Sequence, residues 1–316
     1  MKKKFFLSSI GGLLAQNIAS CIRDQFPDAQ IIGSDTHVEH AGSYFADRVL
    51  IVERVESENF LPSLSANLRE HRPQYYFPLN ESELRLLSGL SPKDLENIFQ
   101  ETQIIWSGKR VLKTFLDKES TMNFLDTIHL KRPKSYLPND FESFRYPLIV
   151  KPRNSSGSKS LFLCNNLEEV KSSLVFVKNP IIQEFIPDQD GEYTVGVFAE
   201  KGNKIRTIAF RRRLSPGGGT SWCETYYDSK LVGICEAIAR AVDLDGSINV
   251  QLRKHEGEYY IFEINPRFSS TVHIRSKLGF NDVLWSLENS PDYRSFDAAV
   301  LGTAKFAVYQ SEVKID

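Results

Sequence analysis

Residues 246–267 read GSINVQLRKHEGEYYIFEINPR, and this stretch predicts two strands joined by a short turn. Glu263 and Asn265 are two residues apart, so a strand points both side chains to the same face of a sheet. Asn249 and Gln251 share one face of the preceding strand for the same reason. We expect the two strands to be antiparallel neighbours because the turn between them is short. The spacing does not fix the register, so it leaves open whether Gln251 lies opposite Glu263.

Carboxylate and carboxamide oxygens on one sheet face suit a hard cation such as Mg²⁺. This ion takes few protein ligands and completes its shell with phosphate and water. The alternative is an ordinary amphipathic hairpin whose polar residues face solvent. The sequence of the hairpin alone favours this alternative over a metal site.

A lysine and a polar loop follow an apolar strand further upstream. Lys151 directly follows the apolar residues 148–150 and lies just before the loop at 153–160. Loop amides and serine hydroxyls can surround phosphate oxygens, while the ammonium group supplies positive charge. In isolation, a lysine at a strand exit without a ligand is the alternative interpretation.

Residues 181–187 read IIQEFIP, which predicts an apolar strand leading into a hinge. Glu192 then opens the next predicted strand. The backbone of such a hinge can hydrogen-bond a purine, and the acid can accept hydrogen bonds from ribose hydroxyls. A plain linker between two lobes is the alternative.

The first 107 residues alternate predicted strands and helices, which indicates a mostly parallel sheet with covering helices. The strands are predicted at 4–8, 29–33, 48–52, 74–78 and 102–106, and the helices at 13–25, 57–71 and 81–88. Gly11 and Gly12 lie where a dinucleotide-binding turn would, and Asp35 about where a ribose-binding acid would. The full G-x-G-x-x-G pattern is absent, so we interpret the glycines as permitting a tight turn.

The pattern changes to α+β after residue 107. Predicted helices are at 109–127, 167–174 and 228–242, and predicted strands are at 147–152, 161–164, 180–185, 191–199, 204–211, 247–253 and 258–264. A glycine-rich loop at 215–220 separates the strand at 204–211 from the last helix.

Composition describes a globular chain and argues against several function classes. The 316 residues carry 39 basic and 40 acidic side chains, for a formal charge of -1. This balance gives no support for a general nucleic-acid or anionic-membrane binder. The four cysteines form no C-x-x-C pair, which argues against a zinc cluster and favours reduced thiols in the cytoplasm.

The first 21 residues resemble a signal peptide that ends in a lipoprotein cleavage box. Gln16 and Asn17 interrupt the apolar region just before the box, and apolar helical spacing continues past Cys21. We therefore expect a strand, a glycine turn and a helix instead. The remaining chain contains no uninterrupted apolar run near the roughly 20 residues that a bilayer requires.

The features described above occur in a fixed order along the chain, together with Lys118 upstream and Arg267 downstream. They are Lys118, Lys151, the hinge at 183–186, Glu192, the pair Asn249 and Gln251, and the run Glu263, Asn265 and Arg267. This order resembles the ATP-grasp superfamily, and within it the carbamoyl-phosphate synthase large-chain and carboxylate–amine ligase group. The resemblance implies an α/β chain with a Rossmann-like domain at 1–107. A two-lobed α+β ATP-grasp unit would follow, with lobes at 108–185 and 186–316.

The resemblance implies a set of nucleotide-binding residues. They are Lys118 and Lys151 at the phosphates, Ser155, Ser156, Gly157 and Ser158 in a covering loop, Glu184, Phe185 and Ile186 at the adenine, and Glu192 at the ribose. The implied metal ligands are Gln251, Glu263 and Asn265, with Mg²⁺ as the expected ion and Mn²⁺ as its alternative. The implied catalytic residues are Lys151, Arg267, Arg211 and Arg213, with Arg267 at the transferred phosphoryl group.

The implied reaction is ATP-dependent joining of a carboxylate to an amine through an acyl-phosphate, with release of ADP and phosphate. The expected partners are a small carboxylate and a small amine of amino acid or peptide type, and a homodimer is a candidate assembly. Two alternatives remain. One is a small-molecule kinase or acyl-phosphate-forming enzyme without an amine acceptor, and the other is a nucleotide-binding regulator without turnover. Ser269, Ser270 and Thr271 stand where many relatives have glycines, so the acceptor cannot be transferred from any relative.

Overall fold

The computed structural model describes residues 2–154, 160–200, 203–287, 296–309 and 312–313. Strands within these ranges form three sheets, and each sheet belongs to its own stretch of chain. Every helix in the same ranges falls short of the length and apolar character that a membrane span needs.

The first stretch alternates strands with helices, as predicted. Its elements are β1 (Lys4–Ser8), α1 (Leu13–Gln25), β2 (Gln30–Asp35), α2 (Gly42–Phe45), β3 (Arg48–Ile51), α3 (Phe60–His71), β4 (Tyr75–Phe77), α4 (Glu81–Gly89), α5 (Pro92–Phe99) and β5 (Gln103–Ile104). The strands pair in parallel in the order β3-β2-β1-β4-β5, which confirms the mostly parallel sheet. Helices α2 and α5 were not predicted.

The central strand β1 shows why helices cover both faces of this sheet. Phe5, Phe6 and Leu7 are fully buried, and successive side chains of a strand point to opposite faces. Phe5 and Leu7 pack on the face that α1 covers, whereas Phe6 packs with residues of α3 and α5. The helices cover the two faces of the sheet, so the carboxyl ends of the parallel strands stay open.

The second stretch forms a small antiparallel sheet preceded by two helices. Its elements are α6 (Gly108–Phe115), α7 (Lys118–Thr127), β6 (Ser135–Tyr136), β7 (Leu148–Pro152), β8 (Phe162–Cys164), α8 (Leu167–Phe176) and β9 (Pro180–Glu184). The strand order is β6-β9-β7-β8.

The prediction of one continuous helix at 109–127 was wrong. The helix stops after Phe115, and a new one begins with Asp117 as its N-cap. The Asp117 carboxylate accepts hydrogen bonds from the backbone N–H groups of Glu119 and Ser120, at 2.8 and 3.0 Å. These bonds satisfy donors that a helix start leaves unpaired. The break places Lys118 in the first turn of α7.

The third stretch forms a large antiparallel sheet. Its elements are β10 (Glu192–Glu200), β11 (Asn203–Leu214), β12 (Thr220–Tyr226), α9 (Ser229–Val242), β13 (Gly246–His255), β14 (Glu258–Asn265), α10 (Val272–Ser276), α11 (Asp282–Trp285) and β15 (Lys305–Ala307). The strand order is β14-β13-β10-β11-β12-β15. Strands β12 and β15 were not predicted.

Contacts between distant stretches hold the first sheet near the end of β14. The Asn17 side chain of α1 donates to the carbonyl of Ser270 at 2.7 Å, and the Ser107 hydroxyl donates to the carbonyl of Pro266 at 2.7 Å. The predicted division at residues 107 and 185 stays a prediction.

Candidate active site

Polar side chains occupy the face of the large sheet that α9 does not cover. The apolar residues of β10 and β13 pack with α9 in one core, so the residues between them point the other way. Across β13 and β14, Gln251 pairs with Glu263 and Asn249 pairs with Asn265. The register that the sequence left open thus places Gln251 opposite Glu263.

A β-bulge adjusts the direction of the side chains on β14. The pairing shifts between Gln251 and Leu252, so that Phe262 is the extra residue on β14. A bulge breaks the strict alternation of faces. The Phe262 ring consequently lies near two cations, 5.8 Å from the Nζ atom of Lys151 and 5.6 Å from the guanidinium of Arg253.

Three cations surround the carboxylate of Glu263. The Nζ atom of Lys118 lies 3.5 Å from the Oε1 atom of Glu263. Burial by itself raises the pKa of this carboxyl, but Lys118, Lys151 and Arg267 outweigh burial and lower it. Glu263 is therefore ionised at neutral pH, as a metal ligand must be.

Lys151 is buried at the end of β7, with 8% of its surface exposed. Burial lowers the pKa of its ammonium group to about 8. Glu263 acts in the opposite direction, while Lys118 and Arg253 lower the pKa further. A buried lysine beside other cations is costly without an anion, so this position suits an anionic ligand.

Two arginines hold the carboxylate of Glu192, which is 6% exposed. The Nε atom of Arg212 donates to Glu192 Oε1 at 3.1 Å, and Arg253 donates to Glu192 Oε2 from Nε and Nη2 at 2.9 and 2.8 Å. Arg212 also donates from Nη2 to Gln251 Oε1 at 2.9 Å. Both oxygens of Glu192 are thus engaged, and its predicted ribose contact would have to share them with the arginines.

The register of β11 separates Arg212 from its two neighbours. Arg212 pairs with Glu192 across β10, and Arg211 pairs with Tyr193. Because side chains alternate along a strand, Arg211 and Arg213 share the opposite face. Both are exposed, and the Arg213 guanidinium lies 5.1 Å from the centre of the Trp222 ring. The structure does not bring these two predicted residues to the cluster around Glu263.

The predicted adenine-binding hinge follows β9. The Glu184 side chain is exposed and accepts from the backbone N–H of Lys134 at 3.2 Å. The backbone N–H of Phe185 donates to the Pro147 carbonyl at 3.1 Å, and the Ile186 carbonyl accepts from Arg253 Nη1 at 2.6 Å. Arg253 therefore connects the hinge directly to Glu192.

The predicted covering residues Ser155, Ser156, Gly157 and Ser158 lie outside the described residues. The chain that leads into this loop is fixed to the start of α7. Arg153 donates to Asp117 Oδ2 at 2.9 and 3.2 Å and contacts Glu119 at 2.6 Å. The backbone N–H of Lys118 donates to the Arg153 carbonyl at 3.3 Å. The loop thus begins beside one of the two predicted phosphate-binding lysines.

Arg267 connects this site to the first sheet. Its Nη2 atom donates to Glu81 Oε1 at 2.8 Å, and its Nη1 atom donates to the Phe268 carbonyl at 3.1 Å. Glu81 is the first residue of α4. The Nε–H group of Arg267 is buried and has no hydrogen-bond partner among the described residues. This donor is available to an oxyanion.

The donor set fits a magnesium ion. Glu263 supplies an ionised carboxylate, and Gln251 and Asn265 supply carboxamide oxygens, which are hard ligands. The Oε1 atom of Gln251 has a second lone pair besides the one that faces Arg212. Within the described part of the chain, no three His, Cys, Asp or Glu side chains group as metal ligands. Phosphate oxygens and water would therefore complete the coordination shell.

Sequence reasoning missed Arg212, Arg253 and Glu81. Arg212 stands between Arg211 and Arg213, which were predicted as catalytic residues instead. Only the pairing of β11 with Glu192 on β10 shows which of the three side chains faces the site. Arg253 carried a usable signal, because it is two residues after Gln251 on a predicted strand and therefore shares its face. Glu81 carried none, because the contact spans 186 positions of the sequence.

Comparisons with known sequences find ATP-grasp proteins and ligases. A family model described as ATP-grasp in the biosynthetic pathway with Ter operon matches residues 177–310. A D-alanine–D-alanine ligase of Fusobacterium nucleatum is 29% identical over 51% of this chain and 60% of the ligase. A carbamoyl phosphate synthase large chain of Helicobacter pylori is 23% identical over 58% of this chain and 19% of the synthase. The chain thus spans 60% or less of the length of these curated relatives.

Solved structures share the fold over most of the chain. An L-amino acid ligase from Bacillus licheniformis superposes with a TM-score of 0.73 at 16% identity, over 99% of this chain and 81% of the ligase. N5-carboxyaminoimidazole synthetase from Staphylococcus aureus, solved with ADP, gives 0.67 at 15% identity, over 88% and 74%. The sequence matches and the shared fold thus agree that the chain resembles the ATP-grasp superfamily and its carboxylate–amine ligase group.

Proposed function

We propose that the protein is an ATP-dependent carboxylate–amine ligase that works through an acyl-phosphate. One observation carries this proposal: Lys118 and Lys151 converge on Glu263, beside the carboxamides of Gln251 and Asn265. Cations and hard oxygen donors in one cluster are what a nucleotide polyphosphate with a divalent metal requires.

The proposed reaction has two steps. A carboxylate oxygen of the first substrate attacks the γ-phosphorus of ATP, and the bond from that phosphorus to the bridging oxygen of ADP breaks. The amine then attacks the acyl carbon, the carbon–oxygen bond to phosphate breaks, and the amine loses a proton. Phosphate leaves with the oxygen that the carboxylate contributed.

The side chains of this chain would bind and orient the reactants. Lys118 and Lys151 bind phosphate oxygens, and the Nε–H of Arg267 hydrogen-bonds the transferred phosphoryl group or the acyl-phosphate. Gln251, Glu263 and Asn265 would hold Mg²⁺. The ion supplies charge neutralisation between the phosphates when it is bound. A covering loop at 153–160 would exclude water, which otherwise hydrolyses an acyl-phosphate.

The relatives support the proposal through what their names state. One is a D-alanine–D-alanine ligase and another an L-amino acid ligase, which favours an amino acid or peptide-like carboxylate and amine. A biotin carboxylase domain from Hydrogenobacter thermophilus was solved with MgADP and has a TM-score of 0.69 at 13% identity, over 90% of this chain and 69% of that domain. We extend ATP and Mg²⁺ to this chain as part of the proposal.

The arrangement of the chain and its place in the cell belong to the same proposal. We propose a Rossmann-like domain at 1–107 and ATP-grasp lobes at 108–185 and 186–316. All four cysteines are buried and free, which agrees with a reducing compartment such as the cytoplasm.

The test is ADP release with Mg-ATP, measured with pooled carboxylates in the presence and absence of pooled amines. We expect release that requires both pools, and a Glu263→Ala variant should lose it. Glu258→Gln is the matched control, because Glu258 lies on the same strand and forms exposed ion pairs with Lys131 and Lys230. Release with carboxylates alone would favour the kinase alternative. Unchanged turnover in Glu263→Ala would refute the metal assignment.

A further inference from the structure

A cavity of about 260 Å³ opens at the carboxyl edge of the first, parallel sheet. Residues at or just after the carboxyl ends of β1, β2 and β3 line it, together with the starts of α3 and α4. It spans β1 and β4, where the strand order reverses direction. In open α/β sheets, small molecules bind in the crevice at this point.

The floor of the cavity is polar and buried. Glu83 is 1% exposed and accepts a hydrogen bond from the Ser8 hydroxyl at 2.5 Å and another from the Tyr76 hydroxyl. Ser34 is also buried against the cavity. None of the ion pairs among the described residues includes Glu83, and burial raises its pKa to about 7. A buried carboxylate of this kind lacks a positive partner.

The rim adds negative charge. Asp35, Glu53 and Glu56 line the cavity beside one arginine, Arg54. Asp35 accepts backbone hydrogen bonds from Gly11 and Thr36 at 2.9 and 2.7 Å, which fixes its carboxylate at the strand end. This charge balance opposes a phosphate or carboxylate ligand and favours a cation.

We propose that this cavity is a binding site for a small molecule that carries an ammonium group, with Glu83 as the acid that receives it. A carboxylate keeps acceptor capacity after two hydrogen bonds, so Ser8 and Tyr76 leave room for the ammonium group. Further hydroxyls of the lining, among them those of Ser9 and Ser34, offer hydrogen bonds to other polar groups of the ligand.

The proposed site is separate from the ATP centre. Positions 81 and 83 of a helix point to nearly opposite sides. Glu83 faces the cavity, whereas Glu81 pairs with Arg267 in the candidate active site. The start of α4 therefore lies between the two sites, and this inference does not require the proposed ligase activity.

The test measures binding to the full chain without nucleotide. The probes are putrescine and glycinamide, and succinate is the anionic control. Calorimetry and thermal unfolding measure the binding of each probe. We expect saturable binding of at least one amine and none of succinate. Glu83→Gln should weaken the amine by about tenfold or more, because it removes the charge while keeping the shape. Ser34→Leu should block the cavity without altering Glu83.

Matched controls separate this site from the rest of the protein. Glu58→Gln removes an exposed acid outside the cavity and should bind the amine as the unmodified chain does. ATP affinity should be unchanged in Glu83→Gln. Absence of saturable amine binding would overturn the proposal, as would amine binding unaffected by both cavity variants. Competition between the amine and ATP would instead place the amine in the reaction centre and also overturn it.

Discussion

Replacing Lys151 by methionine should stabilise the nucleotide-free protein and abolish ADP release. Burial lowers the pKa of this ammonium group from 10.5 to about 8. That interval corresponds to about 3 kcal/mol, at about 1.4 kcal/mol for each tenfold change in proton affinity. Methionine keeps much of the volume and places its sulfur near the Phe262 ring. Glu263 loses one cation in the variant, so we expect a net gain in the free energy of unfolding of about 1–3 kcal/mol at pH 7.

The dependence on pH has a definite sign. Below pH 8, Lys151 is protonated in the folded and the unfolded chain, so the folded state carries the whole cost. Between pH 8 and 10.5 the folded chain releases the proton first, and the cost fades as the pH rises. The advantage of Lys151→Met should therefore be largest at pH 7 and smaller at pH 9.5.

Urea unfolding without nucleotide, at pH 7 and 9.5, is the assay. Lys113→Met is the matched control, because Lys113 is exposed on α6 and its loss should change the free energy of unfolding by about 0.5 kcal/mol or less. A Lys151→Met variant that is less stable than the unmodified protein at pH 7 would refute the argument. It would mean that Lys151 is stabilised by anions of the protein itself and is not held ready for a ligand.

Three further perturbations follow from the structure. Asp117→Ala removes the N-cap of α7 and the contact with Arg153, so urea unfolding should show that the free energy of unfolding falls by about 1–2 kcal/mol. The KM for ATP should change as well, and a KM equal to that of the unmodified protein would contradict the link to the covering loop. Burial raises the pKa of Glu83 from 4.5 to about 7, so the destabilisation that this carboxyl causes is absent below pH 4.5 and grows up to pH 7. Between pH 4.5 and 8, the free energy of unfolding of Glu83→Gln should therefore rise by up to about 3 kcal/mol relative to the unmodified chain. A difference in stability that does not depend on pH would disprove this. Gly196→Ala would place a Cβ atom 2.7 Å from the Nη1 atom of Arg275, a residue that is fully buried. This crowding should lower the free energy of unfolding by about 1–3 kcal/mol. An unchanged midpoint of thermal unfolding would show instead that Arg275 can move.

The sequence was sufficient for the parallel sheet and for the hairpin. Fully apolar residues such as Phe5, Phe6 and Leu7 predict a strand buried on both faces, and the spacing of Glu263 and Asn265 predicts their common face. These features depend on local periodicity, which a single sequence contains.

Features that depend on register or on distant contacts could not be predicted. The bulge at Phe262 arises from how β13 pairs with β14, and the choice between Arg212 and its neighbours depends on pairing with β10.

The break between α6 and α7, in contrast, could have been predicted from the sequence. Asp117 followed by Glu119 and Ser120 is an N-cap pattern inside an apparently continuous helix.

The transfer of a carboxylate oxygen to phosphate tests the central claim most directly. Once the substrate pair is known from ADP release, the carboxylate is labelled with oxygen-18 and the released phosphate is analysed by mass spectrometry. An acyl-phosphate intermediate predicts one labelled oxygen in each phosphate, formed only when ATP, carboxylate and amine are all present. Unlabelled phosphate from a reaction that forms the amide would contradict the proposed mechanism.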